Sequence, residues 1–440
     1  MNDKLHSVKL DKELCKGCTT CVKRCPMEAI RVRDKHAIII NERCIDCGEC
    51  IRVCPHHAKK AVVDTLDVLK NFEYTIALPA PSLYGQFKGI LSDRNVILTA
   101  LKHIGFSTVF EVSAGAEAIS TLTNREIRKS KENLPIISTA CPTVVRIIRM
   151  RFPSLIPHLL DFRSPMEFTA RWAKRLAQEE TGLPLEKIGC IFISPCPAKA
   201  TAVKLASNAD HSAVDAVIAI SEIYPKLRTA IKRVIVPEDL AVSGSPGMGW
   251  AVSGGECKAA AISDNLSADG MENVINILEA LENEELPSVD FIELNACVGG
   301  CVGGVLTVEN PFIARGRIKH LMKATAPVLR PDQCPIDDVN WDHSVEFDPS
   351  LRIDSNLSDA ISLLAKIRDI ESRLNGMDCG ACGAPSCHAL AEDIAKGFAT
   401  EDQCIFIVRE KLQGLLGQHE NPDGTAEPAV AKEAESEEQA

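Results

Sequence analysis

Two stretches of this 440-residue chain repeat one cysteine spacing. Residues 15–26 read CKGCTTCVKRCP and residues 44–55 read CIDCGECIRVCP, each C-x2-C-x2-C-x3-C-P. So tight a loop places three thiolates on one face of an Fe4S4 cube, and the fourth cysteine reaches the neighbouring cube. The expected ligand sets are therefore crossed: Cys15, Cys18, Cys21 and Cys54 for one cluster, Cys25, Cys44, Cys47 and Cys50 for the other. Pro26 and Pro55 turn the chain away after the last ligand. Zinc also accepts four thiolates, but it does not call for a doubled eight-cysteine pattern.

The chain has 19 cysteines, and its first residues, MNDKLHSVKLDKELC, contain no apolar leader-like stretch. No apolar run reaches membrane-span length. We expect a cytoplasmic protein whose thiols bind metal instead of pairing as disulfides. Net charge is −11, and much of it lies at the C-terminus, where residues 413–440 carry seven acids and one lysine, Lys432. That balance offers no nucleic-acid surface. The closing EPAVAKEAESEEQA is too polar to bury a core.

A third cysteine group spans residues 379–404. Cys379 and Cys382 form a chelating pair, Cys387 follows a Gly-Ala-Pro-Ser turn, and the mostly helical HALAEDIAKGFATEDQ returns Cys404 to the site. Four thiolates admit zinc or a cubane. A cubane is favoured, because the pattern resembles a small iron–sulfur domain with CGxCGxxxC and a distant fourth cysteine.

Seven cysteines remain. Cys141 (in STACPT) and Cys196 (in ISPCPAKA) each follow an apolar strand-like run, while Cys297 and Cys301 lie in the glycine-rich ELNACVGGCVGG. Strand ends and such a loop converge at the carboxyl edge of a parallel sheet, where open α/β folds place their sites. Four thiolates meeting there would bind a further cubane. Cys190, inside KIGCIFIS, reads as core; Cys334 reads as a loop thiol.

With these motifs in order, TACP at 139–142, PCPAK at 195–199 and E-x3-C-x3-C at 293–301, the sequence resembles the [FeFe]-hydrogenases. GFSTVFEVSAGAE at 105–117 and SGSPGMGWAVSGG at 243–255 extend the likeness. The resemblance implies an H-cluster, a cubane joined to a diiron unit with carbonyl, cyanide and azadithiolate ligands. Cys141, Cys196, Cys297 and Cys301 would hold the cubane, and Cys301 would also bridge to the diiron unit. It further implies that Lys199 donates to one cyanide, that Pro195 supplies backbone near the other, and that maturation proteins install the diiron part. The cofactor total is then four [4Fe–4S] clusters, one within the H-cluster, and one diiron subcluster.

The chain also departs from the family pattern. Catalytic members have a proton-carrying cysteine where Ala140 stands, and methionines where Ser194 and Asn295 stand. Thr123 and Leu160 fall where a glutamate and a serine continue the proton route; Glu126 matches a further glutamate. These losses resemble the sensory branch, here without the PAS domain that many such relatives carry. Glu256 and Cys257 are candidate substitute proton carriers, against the plainer reading of a helix-start carboxylate. Arg146 and Arg149 share a helix face that reads as solvated.

The expected fold class is α/β. A bacterial-ferredoxin module (α+β), residues 1–62, precedes an H-cluster domain with parallel sheets and flanking helices, residues 70–330. A small, mainly helical iron–sulfur domain, residues 355–412, and an acidic disordered tail, residues 413–440, complete the chain. The expected function is reversible H2 activation with electron transfer through the clusters, slow and H2-sensing. Expected partners are H2, protons, a ferredoxin or other redox or signalling protein, and the maturation proteins. Two other readings share these features: a conventional ferredoxin-linked or bifurcating hydrogenase with another proton route, and a non-enzymatic cluster electron-transfer or assembly protein. One prediction is independent of that choice. Cys404→Ala should remove about four irons per chain, counted by colorimetric iron assay, and unchanged iron would dismiss Cys404 as a ligand.

Overall fold

A computed structural model describes residues 6–88, 93–129, 134–206, 211–325, 338–354 and 356–419. Cys334 and residues 420–440 of the expected tail lie outside them. One compact unit ends at Arg352 and a second begins at Ile353.

The N-terminal part of the first unit carries four short strands: β1 (Val8–Leu10), β2 (Ile30–Arg33), β3 (His36–Ile39) and β4 (Lys59–Ala61). They form two antiparallel pairs, β1 with β4 and β2 with β3. Seven further strands lie beyond them: β5 (Tyr74–Pro79), β6 (Thr108–Val109), β7 (Ile136–Ile137), β8 (Ile188–Ser194), β9 (Ala216–Ala219), β10 (Asn265–Asp269) and β11 (Phe291–Asn295). They make two parallel sheets, one in the order β6-β5-β8-β9 and the other in the order β10-β11-β7.

β8 shows why the sequence folds this way. All seven of its residues, IGCIFIS, are buried, as in a parallel strand covered on both faces. Ile191 and Ile193 point into one core cluster with Leu98 and Ile223; Ile188, Cys190 and Phe192 point into the opposite one with Met166 and Ala170. That alternation is the strand's period of two. Cys190 is thus a core residue with no solvent exposure. The covering helix Pro165–Thr181 starts with Ser164, whose hydroxyl accepts the Glu167 N–H, and with Pro165 at its first position. Gly182 closes it in the left-handed conformation.

The second sheet packs β7 and β11 under the helices Pro142–Arg151 and Met271–Glu282. The same core cluster takes in Met27, Ala29 and Ile45 from the cysteine-repeat region. The cysteine-repeat region is therefore joined to the parallel-sheet region by shared apolar burial, not only by a linker.

In the second unit the helices Leu357–Arg373, Cys387–Ala395 and Ile405–His419 enclose Ile367, Ile370 and Leu390. The last helix runs past residue 412, so the boundary placed there falls inside it. The stretch read as mostly helix between Cys387 and Cys404 is helical to Ala395, with the short turn Glu401–Gln403 after it.

Two glycines set the geometry after β11. Gly300 has φ +88°, and a Cβ there would lie 2.5 Å from the Ser253 nitrogen. At Gly304 a Cβ would lie 2.3 Å from the Pro195 carbonyl oxygen. Gly304→Val should therefore destabilise the protein by about 1–3 kcal/mol through overpacking, read as a lower thermal midpoint by circular dichroism. A wild-type midpoint would show that the loop can move aside.

Candidate metal centre

Three chain turns deliver the four candidate cysteines. Cys141 comes after β7 and caps the helix Pro142–Arg151; Cys196 comes after β8 and precedes the helix Pro197–Lys204. Cys297 and Cys301 lie just past β11. The site was expected at the edge of one parallel sheet. It lies instead between the carboxyl ends of two, because β8 belongs to one sheet and β7 and β11 to the other.

The four thiols are neighbours: an ionised Cys297 is repelled by Cys196, Cys141 and Cys301. Burial pushes the Cys196 thiol up to about 11 and that of Cys301 up to about 12, although Lys199 pulls both down. Cys297 is raised well above the usual thiol range, chiefly by burial. Four neighbouring sulfurs, three of them held protonated by burial, suit a polynuclear iron–sulfur group, whose positive metal charge lets the thiols ionise.

A pocket opens beside them, enclosing about 620 Å³ including its mouth. Ala140, Cys141, Pro195, Lys199, Glu256 and Cys301 line it, as do Glu293 and Asn295. Lys199 is 9% exposed and donates from Nζ to the Ala140 carbonyl at 2.9 Å. Among the described residues it forms no ion pair. A buried ammonium of this kind matches an anionic or strongly accepting ligand. Pro195 accepts the Leu306 N–H at 2.9 Å through its carbonyl, which fixes the turn against the Cys301 loop.

Glu256 and Glu293 form a buried acid pair. The Ser138 hydroxyl donates to Glu256 Oε2 at 2.6 Å, and Ser138 Oγ accepts the Ala140 N–H at 3.3 Å. Glu293 accepts the Gly254 N–H at 2.9 Å, the Cys257 N–H at 3.0 Å and the Asn295 amide at 2.9 Å. Burial, then the Glu293 charge, raises Glu256 to about 8. Burial also raises Glu293, against those three donors. Of the two candidate carriers, only Glu256 lines the pocket. The Cys257 side chain lies among Ile119, Leu122, Phe168 and Phe291, and its thiol is raised by burial and the two glutamates. Glu293 stands in the E-x3-C-x3-C motif, yet its partnership with Glu256 depends on a loop some forty residues away in sequence and was not legible there.

Eight of the other cysteines gather in two places. Cys21 has Cys18, Cys54 and Cys15 as charge neighbours, and Cys47 has Cys25, Cys50 and Cys44. These are the two crossed groups that the spacing demands. In the second unit Cys404 is buried, with Cys382 and Cys387 packed against its core; Cys379 is exposed. Thr123 is buried and donates to the Ile119 carbonyl at 2.9 Å. Glu126 and Leu160 line a separate outer cleft that shares no wall residue with the pocket. Arg146, read as solvated, turns inward to Asp46.

Thiols gathered beside a buried ammonium and a protonatable acid pair are the equipment of an iron–sulfur oxidoreductase. Residues 73–263 and 251–305 match the model of the iron only hydrogenase large subunit, C-terminal domain, and the chain belongs to that family. A 4Fe-4S dicluster domain matches residues 7–55, and an Fe–S cluster domain matches 374–406. The chain is 31% identical over 216 residues to the periplasmic [Fe] hydrogenase large subunit of Nitratidesulfovibrio vulgaris, covering 45% of this chain and 51% of that one. It is 31% identical over 112 residues to the cytosolic Fe-S cluster assembly factor nar1 of Emericella nidulans, covering 24% and 19%. It thus spans about half the length of the first relative and about a fifth of the second. A structure of a variant of the [FeFe]-hydrogenase HydA1 from Chlamydomonas reinhardtii aligns with TM-score 0.49 and 15% identity, covering 62% of this chain and 94% of that one. Among the described residues no helix is long and apolar enough to cross a membrane.

The acid pair makes a measurable claim. Since Glu256 is raised to about 8, it keeps its proton at neutral pH and releases it as pH rises through that value. Between the ordinary carboxylate value of 4.5 and about 8 the folded state holds a proton that the unfolded state has lost, so stability falls with rising pH across that range and levels off above it. An infrared carboxylic-acid band should fade near pH 8 and be absent in Glu256→Gln. A band that persists in the variant would assign the proton elsewhere.

Proposed function

We propose that this protein activates H2 reversibly at an H-cluster, slowly, as an H2-responsive member of its family. The observation that carries the reading is the shared pocket: Cys141, Cys301, Lys199 and Pro195 line the same walls. Cys141, Cys196, Cys297 and Cys301 would hold the cubane, with Cys301 next to the diiron unit. That group, when bound, supplies the splitting of H2 into two protons and two electrons. Lys199 would orient it through a charge-assisted hydrogen bond while its contact to Ala140 fixes the ammonium. The crossed cysteine groups at the N-terminus and the Cys379–Cys404 group would carry the electrons, in clusters that exchange with a ferredoxin or a signalling protein.

The proton side supports slow turnover. Ala140 presents a methyl group to the pocket and carries no proton. Ile119, Leu122, Phe162 and Phe168 share one buried apolar cluster, and Leu122 and Phe162 also line the outer cleft, so that cleft is backed by an apolar wall with no proton carrier in it. Glu256 is then the group that takes up or releases the proton at the pocket, steadied by Ser138 and paired with Glu293. The compartment remains that of the sequence expectation, the cytoplasm.

A cluster-only assembly protein is the second reading, favoured by the 112-residue likeness to nar1. Infrared spectra of protein co-produced with the maturation proteins separate the two: carbonyl and cyanide bands support the hydrogenase, and their absence at full iron content supports the assembly reading.

Turnover of the matured protein tests the proton argument. Glu256→Gln should lower H2 evolution at least tenfold, toward the ~100-fold or more that a positioned acid–base group supplies. Ala140→Cys should raise it about tenfold or less, the apolar wall discounting that same range. A wild-type rate equal to that of proton-carrying relatives, at equal H-cluster content, would overturn the slow, sensory reading.

A further inference from the structure

Asp46 lies between Cys44 and Cys47, and its carboxylate has no solvent exposure. The residue takes φ +54°, a left-handed conformation that a short polar side chain tolerates. Oδ1 accepts the Ser7 N–H at 2.8 Å and lies 3.8 Å from the Cys44 sulfur. Oδ2 accepts the Thr201 hydroxyl at 2.9 Å and pairs with the Arg146 guanidinium. The His6 ring nitrogen is 3.9 Å from Oδ1.

The origin of these partners gives the cluster its meaning. Arg146 sits on the helix that Cys141 caps, and Thr201 sits on the helix that begins after Cys196. One carboxylate inside an N-terminal cysteine loop therefore holds both helices that start at active-site cysteines. Arg146 leaves Nη2 buried without a hydrogen-bond partner, and its side chain is only 12% exposed. Charges this poorly screened act strongly on a redox centre beside them.

We propose that the buried Asp46–Arg146 pair sets the reduction potential of the cluster held by Cys25, Cys44, Cys47 and Cys50, and is the electrostatic link between that cluster and the active-site cysteines. Reduction adds one electron to that cluster and makes or breaks no bond. The carboxylate opposes the added negative charge, and the guanidinium favours it. Removing them has opposite signs, which a purely mechanical clamp does not produce.

The inference rests on the cluster assignment of the cysteine repeat and not on the diiron unit. Full-length protein reconstituted with iron and sulfide is therefore sufficient, titrated potentiometrically at alkaline pH and monitored by electron paramagnetic resonance. Asp46→Asn should raise one reduction step, and Arg146→Gln should lower the same step. Each shift should be a tenfold change in the reduction equilibrium or more, about 59 mV for a one-electron couple. Shifts of one sign, or none, at wild-type iron content would overturn the proposal. Loss of iron from the isosteric Asp46→Asn variant would overturn it too, showing a structural clamp. Wild-type protein that binds no iron at this set would instead sink the cluster assignment.

Discussion

Four half-buried thiols crowded together repel one another once ionised, and that arrangement is unstable unless a cation is present. Burial lifts Cys196, Cys297 and Cys301 above the usual thiol range, and their neighbours lift them further. Metal-free protein holds them neutral. Metal charge reverses the balance, so that assembly of the centre and order in the surrounding loops are one linked equilibrium. The rest of the first unit serves that condition. Parallel strands end at the cysteines, and the Gly300–Gly304 turn presses against Ser253 and Pro195 where any side chain would collide. Arg52, from the cysteine-repeat region, donates to the Gly303 carbonyl at 2.6 Å and closes the same loop from outside.

A second charge problem sits in the adjoining pocket. Lys199 favours ionisation of Glu256, while burial and Glu293 oppose it more strongly. The pair keeps a proton that a lone surface carboxylate would release, and its titration belongs to the pair as a unit. Two further buried carboxylates hold the segment that leads to the pocket wall. Glu111 accepts the N–H groups of Val242 at 2.7 Å and Ser243 at 2.9 Å, and Glu117 accepts that of Gly244 at 2.7 Å. Trp250 and Ala251, farther along the chain, complete the pocket wall. The segment that leads to this wall is thus held by hydrogen bonds from its backbone to buried carboxylates.

The cysteine spacing and the run IGCIFIS were legible because each is a local pattern with one physical reading. β5, the partner of both β6 and β8, was not: YTIALP contains no alternation, and its role comes from the long-range pairing of Tyr74 with Ile188 onward. β10 was hidden for the opposite reason, since NLSAD is polar and half exposed and becomes a strand only beside β11. The single-sheet expectation failed because strand ends look alike in sequence whichever sheet receives them. Arg146 reads like any helix-surface arginine until Asp46, a hundred residues earlier, is placed beneath it. Glu256 was legible as a candidate; its neighbour Cys257 differed only by helical phase, which turns one side chain to the pocket and the next into the core.

The departures from the family pattern connect physically with the acid pair. Ser194 has no exposure, and its hydroxyl donates to the Cys196 carbonyl at 2.8 Å while accepting the Cys196 N–H at 3.2 Å. Its polarity is satisfied within the turn and does not reach the pocket. Asn295 does reach it, and its amide donates to Glu293 Oε1 at 2.9 Å. A methionine at that position offers no such donor. Glu293 would then keep only the Gly254 and Cys257 N–H groups and the Cys257 thiol, and its ionised form would be less favoured. By stabilising charge on Glu293, Asn295 leaves the proton of the pair on Glu256, the member that faces the pocket. Of the two departures, Asn295 therefore bears on the proton of the acid pair and Ser194 does not.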